Sequence, residues 1–354
     1  MKDLILKFQI QGSPKTCERY GQGHINETYL VTCDSGLRYI LQKINKRVFT
    51  KPEQLMENIA AVTAHISGRC ANPREVLHLV LTKEGKSYYK DAAEEYWRVY
   101  EFVSSTICLQ NAQSPKDCYY SGVAFGRFQG CLADFPADLL HEPIANFHNT
   151  RQRFVQLRAA MQTNYENRIE HCREELEFAL AREKEAGAIV DKLQSGELPL
   201  RVTHNDTKLN NILFDSDTGK PLCVVDLDTI MPGSSLYDYG DAIRSCASSA
   251  VEDEKDLSKV WCDLELFRAY TEGYLEGCCG SLTELELQMM PAGAKMMALE
   301  LGIRFLTDYL NGDTYFRTHY EGQNLARART QLKLVADMES KWETMHMIVK
   351  ELIK

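Results

Sequence analysis

Residues 202–215 read V-T-H-N-D-T-K-L-N-N-I-L-F-D, and after a short polar turn residues 224–230 read V-V-D-L-D-T-I. His204, Asp206 and Asn211 stand at H-x-D-x-x-x-x-N spacing, and Asp226 ends a run of apolar, strand-forming residues. The turn Ser216-Asp217-Thr218-Gly219 predicts a hairpin of strands 212–214 and 222–225, which returns Asp226 towards Asn211. Phosphoryl transfer needs such a set. One carboxylate accepts a proton from the attacking hydroxyl, while an amide oxygen and a second carboxylate hold Mg²⁺ against the nucleotide phosphates. Asp and Asn are also the commonest turn residues, so a lone H-x-D carries little weight. The full spacing, the hairpin and the strand ending in Asp-Leu-Asp together point to a kinase acting on a small molecule.

Composition narrows the classes further. A chain of 354 residues is long enough for two lobes with a substantial core. A formal net charge of −9 argues against nucleic acid and against an anionic membrane surface as partners. The N-terminal apolar run is too short for a signal peptide, and no stretch approaches a membrane span. The 12 cysteines are scattered without a Cys-x-x-Cys pair, so free thiols in a reducing cytoplasm are expected rather than structural zinc or a disulfide framework. A monomer or weak dimer is the expected assembly.

Outward from the hairpin, the predicted class is α+β, a protein-kinase-like fold of two lobes. Residues 1–103 should form a small, mostly antiparallel nucleotide-binding lobe, and 104–354 a larger, mainly helical catalytic lobe. In the first, residues 17–36 read as a hairpin and 38–44 as a strand. A helix is expected over 52–67, where Leu55, Met56, Ile59, Val62 and Ile66 recur at helical spacing behind Pro52. Strands 75–81 and 96–103 follow, and the lobes should join at a hinge over 101–105. In the second, 117–132 reads as a helix and 164–192 as one long charged helical tract, with four or more helices closing the chain.

The nucleotide side is legible in part. Gly21-Gln22-Gly23 sits where two strands would turn, and glycine lets backbone amides approach phosphates. It is not a P-loop, since no Gly-Lys-Ser/Thr follows. On the next strand Lys43 is the expected phosphate cation. Gln42 and Lys43 point to opposite faces, so only one of them can face the nucleotide. Glu53 or Glu57 on the following helix would pair with that cation. The base should lie at the hinge, near Glu101 and Val103.

With these residues placed, the chain resembles the aminoglycoside phosphotransferase and choline kinase superfamily, relatives of the protein kinases, from Gly21 to about Tyr320. Its strings G-H-I-N-E-T-Y at 23–29, Y-I-L-Q-K-I-N at 39–45, H-N-D-T-K-L-N-N at 204–211, D-L-D-T-I-M-P-G at 226–233 and R-F-L-T-D-Y-L-N-G-D-T-Y-F at 304–316 look like the N-acetylhexosamine 1-kinases. That resemblance implies ATP- and Mg²⁺-dependent phosphorylation of the anomeric hydroxyl of GlcNAc or GalNAc. It makes Asp206 the base and Asn211 and Asp226 the metal ligands, with sugar contacts from His24, Glu27, Arg304 and Tyr315. At Gln42 many members of the superfamily carry a cation instead. Asp238 is expected to cap a helix or brace the catalytic loop, His204 to be structural, and Asp228 is open as a second metal contact. No role is read for His148 or His171. Choline, homoserine or an aminoglycoside would be alternative acceptors, and a nucleotide-binding pseudokinase is the rival from another class.

Overall fold

The structure, a computed structural model, describes all residues except 22–24 and 113. Its architecture is the expected α+β one, an antiparallel sheet and a mainly helical part. Compactness divides the chain into two interleaved units rather than at one boundary between 103 and 104. The first comprises Met1–Cys108, Asp134–Ala145 and Asn211–Pro232, and the second the remainder.

The first unit opens with a helical turn, α1 (Lys2–Ile5), then strands β1 (Pro14–Arg19), β2 (Glu27–Cys33) and β3 (Arg38–Lys43) and helix α2 (Pro52–Ser67). Strands β4 (Leu79–Val80), β5 (Tyr89–Lys90) and β6 (Tyr96–Glu101) complete an antiparallel sheet ordered β1-β2-β3-β6-β4, with β5 also on β6. Strand alternation sorts its faces. Val31, Cys33, Tyr39, Leu41, Trp97 and Val99 point one way and form a core with Ile5 and Phe8. The other face carries Tyr96 and Arg98 to α2, through Glu53 and Met56 respectively. The strand expected over 75–81 shrinks to two residues because Pro73–Glu75 forms a 3-10 turn, capped by Asn72. A second sheet extends the expected hairpin by one strand: β7 (Thr106–Cys108) pairs with β9 (Ile212–Asp215), which pairs with β10 (Pro221–Val224).

The second unit holds α3 (Pro115–Cys131), α4 (Thr150–Thr163), α5 (Arg173–Leu180), α6 (Val190–Ser195) and the short strand β8 (Arg201–Thr203). Strand β11 (Met231–Gly233) leads the chain back into this unit at α7 (Ser235–Cys246). Helices α8 (Leu264–Cys278), α9 (Glu284–Leu310), α10 (Gln323–Ser340) and α11 (Trp342–Leu352) close the chain. The single helix expected over 164–192 is broken. Asn164, Glu166 and Asn167 adopt left-handed dihedrals, a 3-10 segment over Tyr165–His171 precedes α5, and a 3-10 turn over Glu183–Glu185 separates α5 from α6. Asn tolerates that region, so the charged composition that suggested one helix accommodates a chain of short ones.

Glycine sets the tightest helix pairing. Gly122, Gly126 and Gly130 on α3 face Gly273 and Gly277 on α8, and the backbones meet. A methyl at Gly273 would lie 2.0 Å from the Tyr119 carbonyl oxygen, and one at Gly126 2.3 Å from that of Tyr274. No helix among the described residues is long and apolar enough to cross a membrane, and the 12 cysteines are not in disulfides. Gly273→Ala should cost about 1–3 kcal/mol by forcing α3 and α8 apart. Gly68→Ala, with right-handed φ and its nearest neighbour at 3.6 Å, should be neutral or stabilising. Urea midpoints of the two variants would check the contrast.

Candidate active site

The loop that carries Asp206 begins where β8 ends, and a carboxylate beneath it fixes its shape. Asp238, on the first turn of α7, has no solvent exposure. Its Oδ1 accepts the Asn205 amide at 2.7 Å, and its Oδ2 the His204 amide at 2.9 Å and Gln129 Nε2 at 3.0 Å. Burial pushes this carboxyl above its ordinary value, although those donors and His204 pull the other way. Asp238 therefore braces the loop, and the cap of α7 is Ser234. His204 is likewise enclosed, edge-on to Phe125 and Phe128, with Nδ1 3.3 Å from the Asp206 amide nitrogen. Asn205 takes a left-handed conformation at φ 65°. The loop thereby turns sharply and presents Asp206, about one-third exposed.

Lys208, missed in the sequence, stands 2.8 Å from Asp206. Asp206 is the main cause of a raised Lys208 pKa, with Asp241 adding to it. Asp241 in turn accepts the Thr207 amide at 3.2 Å and bonds the buried Arg244 at 2.9–3.0 Å. Burial alone would raise the Asp241 carboxyl, but Arg244 and Lys208 outweigh it and hold it low. The spacing D-x-K was the available signal for Lys208.

In the first unit the β9–β10 hairpin forms as predicted, with Val224 opposite Ile212. One step further the Val225 amide donates to the Asn211 carbonyl at 2.9 Å. Asn211 and Asp226 consequently stand at the same end of one hairpin, and Asp226 turns off it with φ 60° and ψ 60°. An amide and a carboxylate there are hard oxygen donors of the kind Mg²⁺ takes alongside phosphate oxygens and water. Asp228 is engaged elsewhere: it forms an ion pair with Arg98 and accepts from Asn26 Nδ2.

The register across β2, β3 and β6 sets Lys43 on the opposite face from Gln42 and Arg98. Lys43 shares its face with Glu27 and Trp97 and lies 3.7 Å from both Glu27 and Glu95. Glu27 also meets Arg19 at 3.6 Å and accepts from the Tyr29 hydroxyl at 2.9 Å, so this expected sugar contact sits in the same outer cluster. Gln42 occupies the face that carries Arg98. Neither expected acidic partner reaches Lys43, since Glu53 accepts from the Tyr96 hydroxyl and Glu57 bonds His141 at 2.7 Å. Arg98 went unread, although a lone charge in Y-W-R-V-Y at 96–100 signals a buried partner.

Gly21 takes φ 74° with open space around it, as a turn requires; Gly23 and His24 lie outside the described residues. At the expected hinge, Glu101 is exposed and its amide bonds the His78 carbonyl at 3.0 Å. The Val103 carbonyl accepts from the Thr106 hydroxyl at 3.0 Å, and Ser105 turns at φ 54°.

On α9, Arg304 lies over Phe147 and Phe316 at 5.2 and 5.5 Å. Tyr315 is exposed, on a loop that Asp308 organises by accepting the amides of Thr314, Tyr315 and Phe316 at 2.8–3.0 Å. Beside Arg304, Glu300 is buried, 2.9 Å from His148 Nδ1 and 2.6 Å from the Thr150 hydroxyl. Burial would raise the Glu300 carboxyl, yet His148, Arg153 and Arg304 pull it below its ordinary value. Arg153 is itself lowered, first by burial and then by Arg304. Glu300 thus feels the charge of both arginines, while His148 and Thr150 are its hydrogen-bond partners. His148, to which the sequence pattern assigns no role, belongs to this cluster.

Residues 16–274 match the phosphotransferase enzyme family. The chain belongs to that family. Solved structures share this phosphotransferase's fold. The microcompartment-associated aminopropanol kinase is 16% identical with a TM-score of 0.59, and the match covers 98% of this chain and 97% of that one. An aminoglycoside phosphotransferase from Alicyclobacillus acidocaldarius subsp. acidocaldarius DSM 446 is 12% identical with a TM-score of 0.63, covering 94% and 92%. The amicoumacin kinase, solved with AMP-PNP and Ca²⁺, is 16% identical with a TM-score of 0.60, covering 94% and 91%.

Asp238→Ala in this phosphotransferase would leave the amides of His204 and Asn205 without acceptors. Each buried amide left unpaired costs about 1–3 kcal/mol. Calorimetry should show a lowered Tm, and exchange of those two amides with solvent should accelerate.

Proposed function

We propose that this phosphotransferase is an ATP- and Mg²⁺-dependent kinase that phosphorylates the anomeric hydroxyl of an N-acetylhexosamine, GlcNAc or GalNAc. The observation that carries the acceptor class is Arg304, a guanidinium lying over Phe147 and Phe316, whose charge also acts on Arg153 and Glu300. A guanidinium at that position disfavours a polycationic aminoglycoside or a choline headgroup. It suits a neutral acceptor rich in hydroxyl and carbonyl oxygens, to which guanidinium donates paired hydrogen bonds. The exposed Tyr315 ring offers an aromatic face to a sugar, and the strings at 204–211, 226–233 and 304–316 support the same reading.

In this mechanism the acceptor C1 hydroxyl loses its proton to Asp206 as its oxygen bonds to the γ-phosphorus and the bond from that phosphorus to the ADP oxygen breaks. The buried brace on Asp238 holds the Asp206 loop in one conformation, which keeps the base oriented without reorganisation. The Lys208 ammonium, 2.8 Å from Asp206, puts a positive charge next to the transferring group. Asn211 and Asp226 would hold Mg²⁺, which supplies charge neutralisation at the nucleotide phosphates when bound.

An ADP-release assay over GlcNAc, GalNAc, choline, homoserine, aminopropanol and kanamycin tests the reading. Turnover is expected with the N-acetylhexosamines, giving a product that has lost its reducing-sugar reactivity. Turnover with an amine instead, or a product that still reduces, would overturn it. Asp206→Asn should lower kcat roughly 10²–10⁴-fold, the usual contribution of a general base, with ATP affinity unchanged. Arg304→Ala should raise the acceptor KM about 10–100-fold, as loss of a charge-assisted hydrogen bond of about 1.5–3 kcal/mol implies, and leave the KM for ATP alone.

A further inference from the structure

Arg98 is 1% exposed and Asp228 3% exposed, so a full positive and a full negative charge are sealed inside the first unit. Buried charges persist only when paired and hydrogen-bonded. The Arg98 guanidinium makes the ion pair with Asp228 Oδ1, donates from Nε to Gln42 Oε1 at 2.9 Å, and lies 5.3 Å from the centre of the Tyr100 ring. Burial would lower its pKa, but Asp228, Tyr100 and Asp226 together outweigh burial and keep it charged. The other oxygen, Asp228 Oδ2, accepts from Asn26 Nδ2. Asn26 Oδ1 accepts the Asn45 amide at 2.9 Å, and Asn45 Nδ2 donates to the Ile25 carbonyl at 3.1 Å. Gln42 Nε2 donates to the Thr28 hydroxyl at 3.0 Å.

Three segments therefore end on one guanidinium–carboxylate pair. These are the exit of the glycine-bearing turn (Ile25 to Thr28), the inward position of β3 (Gln42), and the segment that follows Asp226. Asp226, in a left-handed conformation, is the cap position of the 3-10 turn Leu227–Thr229 that carries Asp228, so the two carboxylates belong to one short segment. At the inward position of β3 stands a neutral amide, and the positive charge of that face sits directly opposite on β6, where Arg98 is in register with Gln42.

We infer that Arg98 is a positioning residue for metal–nucleotide binding. It acts through Asp228, which serves as its counter-ion and not as a metal ligand, and the pair ties the glycine-bearing turn to the Asp226 segment. The functional half of this inference rests on the kinase reading; the tie between segments does not.

The test uses the full chain. Arg98→Met alone would strand a buried carboxylate and risk misfolding, so the informative variant is Arg98→Met/Asp228→Leu, which removes both charges and fills the space with apolar groups. Two readouts are needed. Hydrogen exchange should show faster exchange at residues 25–28 and 226–230 together, with α2 still protected. Titration with Mg·AMP-PNP should show the half-saturating Mg²⁺ concentration raised about 10–100-fold, as for loss of a group that orients a metal ligand, while acceptor KM and Tm stay near wild type. Arg98→Lys, which keeps the charge but loses the Gln42 bond, should fall between. Unchanged exchange in both segments with unchanged Mg²⁺ dependence would overturn the inference. So would a double variant whose acceptor KM moves as much as its Mg²⁺ dependence. A wild-type protein that binds no Mg·AMP-PNP would remove the kinase reading, and exchange alone would then decide the tie.

Discussion

A carboxylate sealed from water must find donors, and Asp238 finds them in the backbone that carries Asp206. Two consecutive amides cannot both reach one carboxylate from an extended strand. The chain therefore leaves β8, turns through the left-handed Asn205 and stops. His204, wedged between Phe125 and Phe128, closes the space behind that turn. Thr207 is tied below by its hydroxyl to the Asp238 carbonyl at 2.6 Å. Asp206 is left as the residue that emerges, paired with Lys208. Asp206 and Lys208 owe their placement to the buried carboxylate beneath their loop.

A similar dependence runs through the first unit, where strand register decides which charges face inward. Because Glu27 lies opposite Lys43 and Gln42 opposite Arg98, one face of the sheet carries an exposed cluster of acids and lysine, and the other a buried arginine. The Lys43–Glu27 contact is a surface pair of small energetic consequence. The Arg98–Asp228 pair, enclosed and shared with Asn26 and Gln42, has no such freedom.

Much of this is legible in local sequence pattern. The helix over Pro52–Ser67 forms at the bounds its apolar spacing implies, and the β9–β10 hairpin follows from its turn residues. The superfamily resemblance implies that Asp238 caps a helix or braces the loop, and of the two it is the brace that forms. What escapes is non-local. Nothing in the string 38–44 says whether Gln42 or Lys43 points inward, since that depends on pairing with β6 and on a core built partly by Ile5 and Phe8 from the chain's start. The Arg153–Glu300–Arg304 cluster joins α4 to α9 across some 150 residues of sequence. The glycines at 122, 126 and 130 gain meaning only opposite Gly273 and Gly277. The tract 164–192 misleads for the opposite reason: its charge suits a solvated helix, yet left-handed residues at its start and 3-10 segments at Tyr165–His171 and Glu183–Glu185 leave only short helices.

The central claim is that Asn211 and Asp226, gathered at one end of the hairpin, hold the divalent ion that accompanies the nucleotide. Electron paramagnetic resonance of Mn²⁺, which substitutes for Mg²⁺ among hard oxygen donors, tests it most directly. Titrating Mn²⁺ into the wild-type protein with AMP-PNP should show ion bound in a protein–nucleotide complex, and Asp226→Ala should abolish that species while the circular dichroism spectrum is unchanged. Equal Mn²⁺ binding by the folded Asp226→Ala protein would contradict the account.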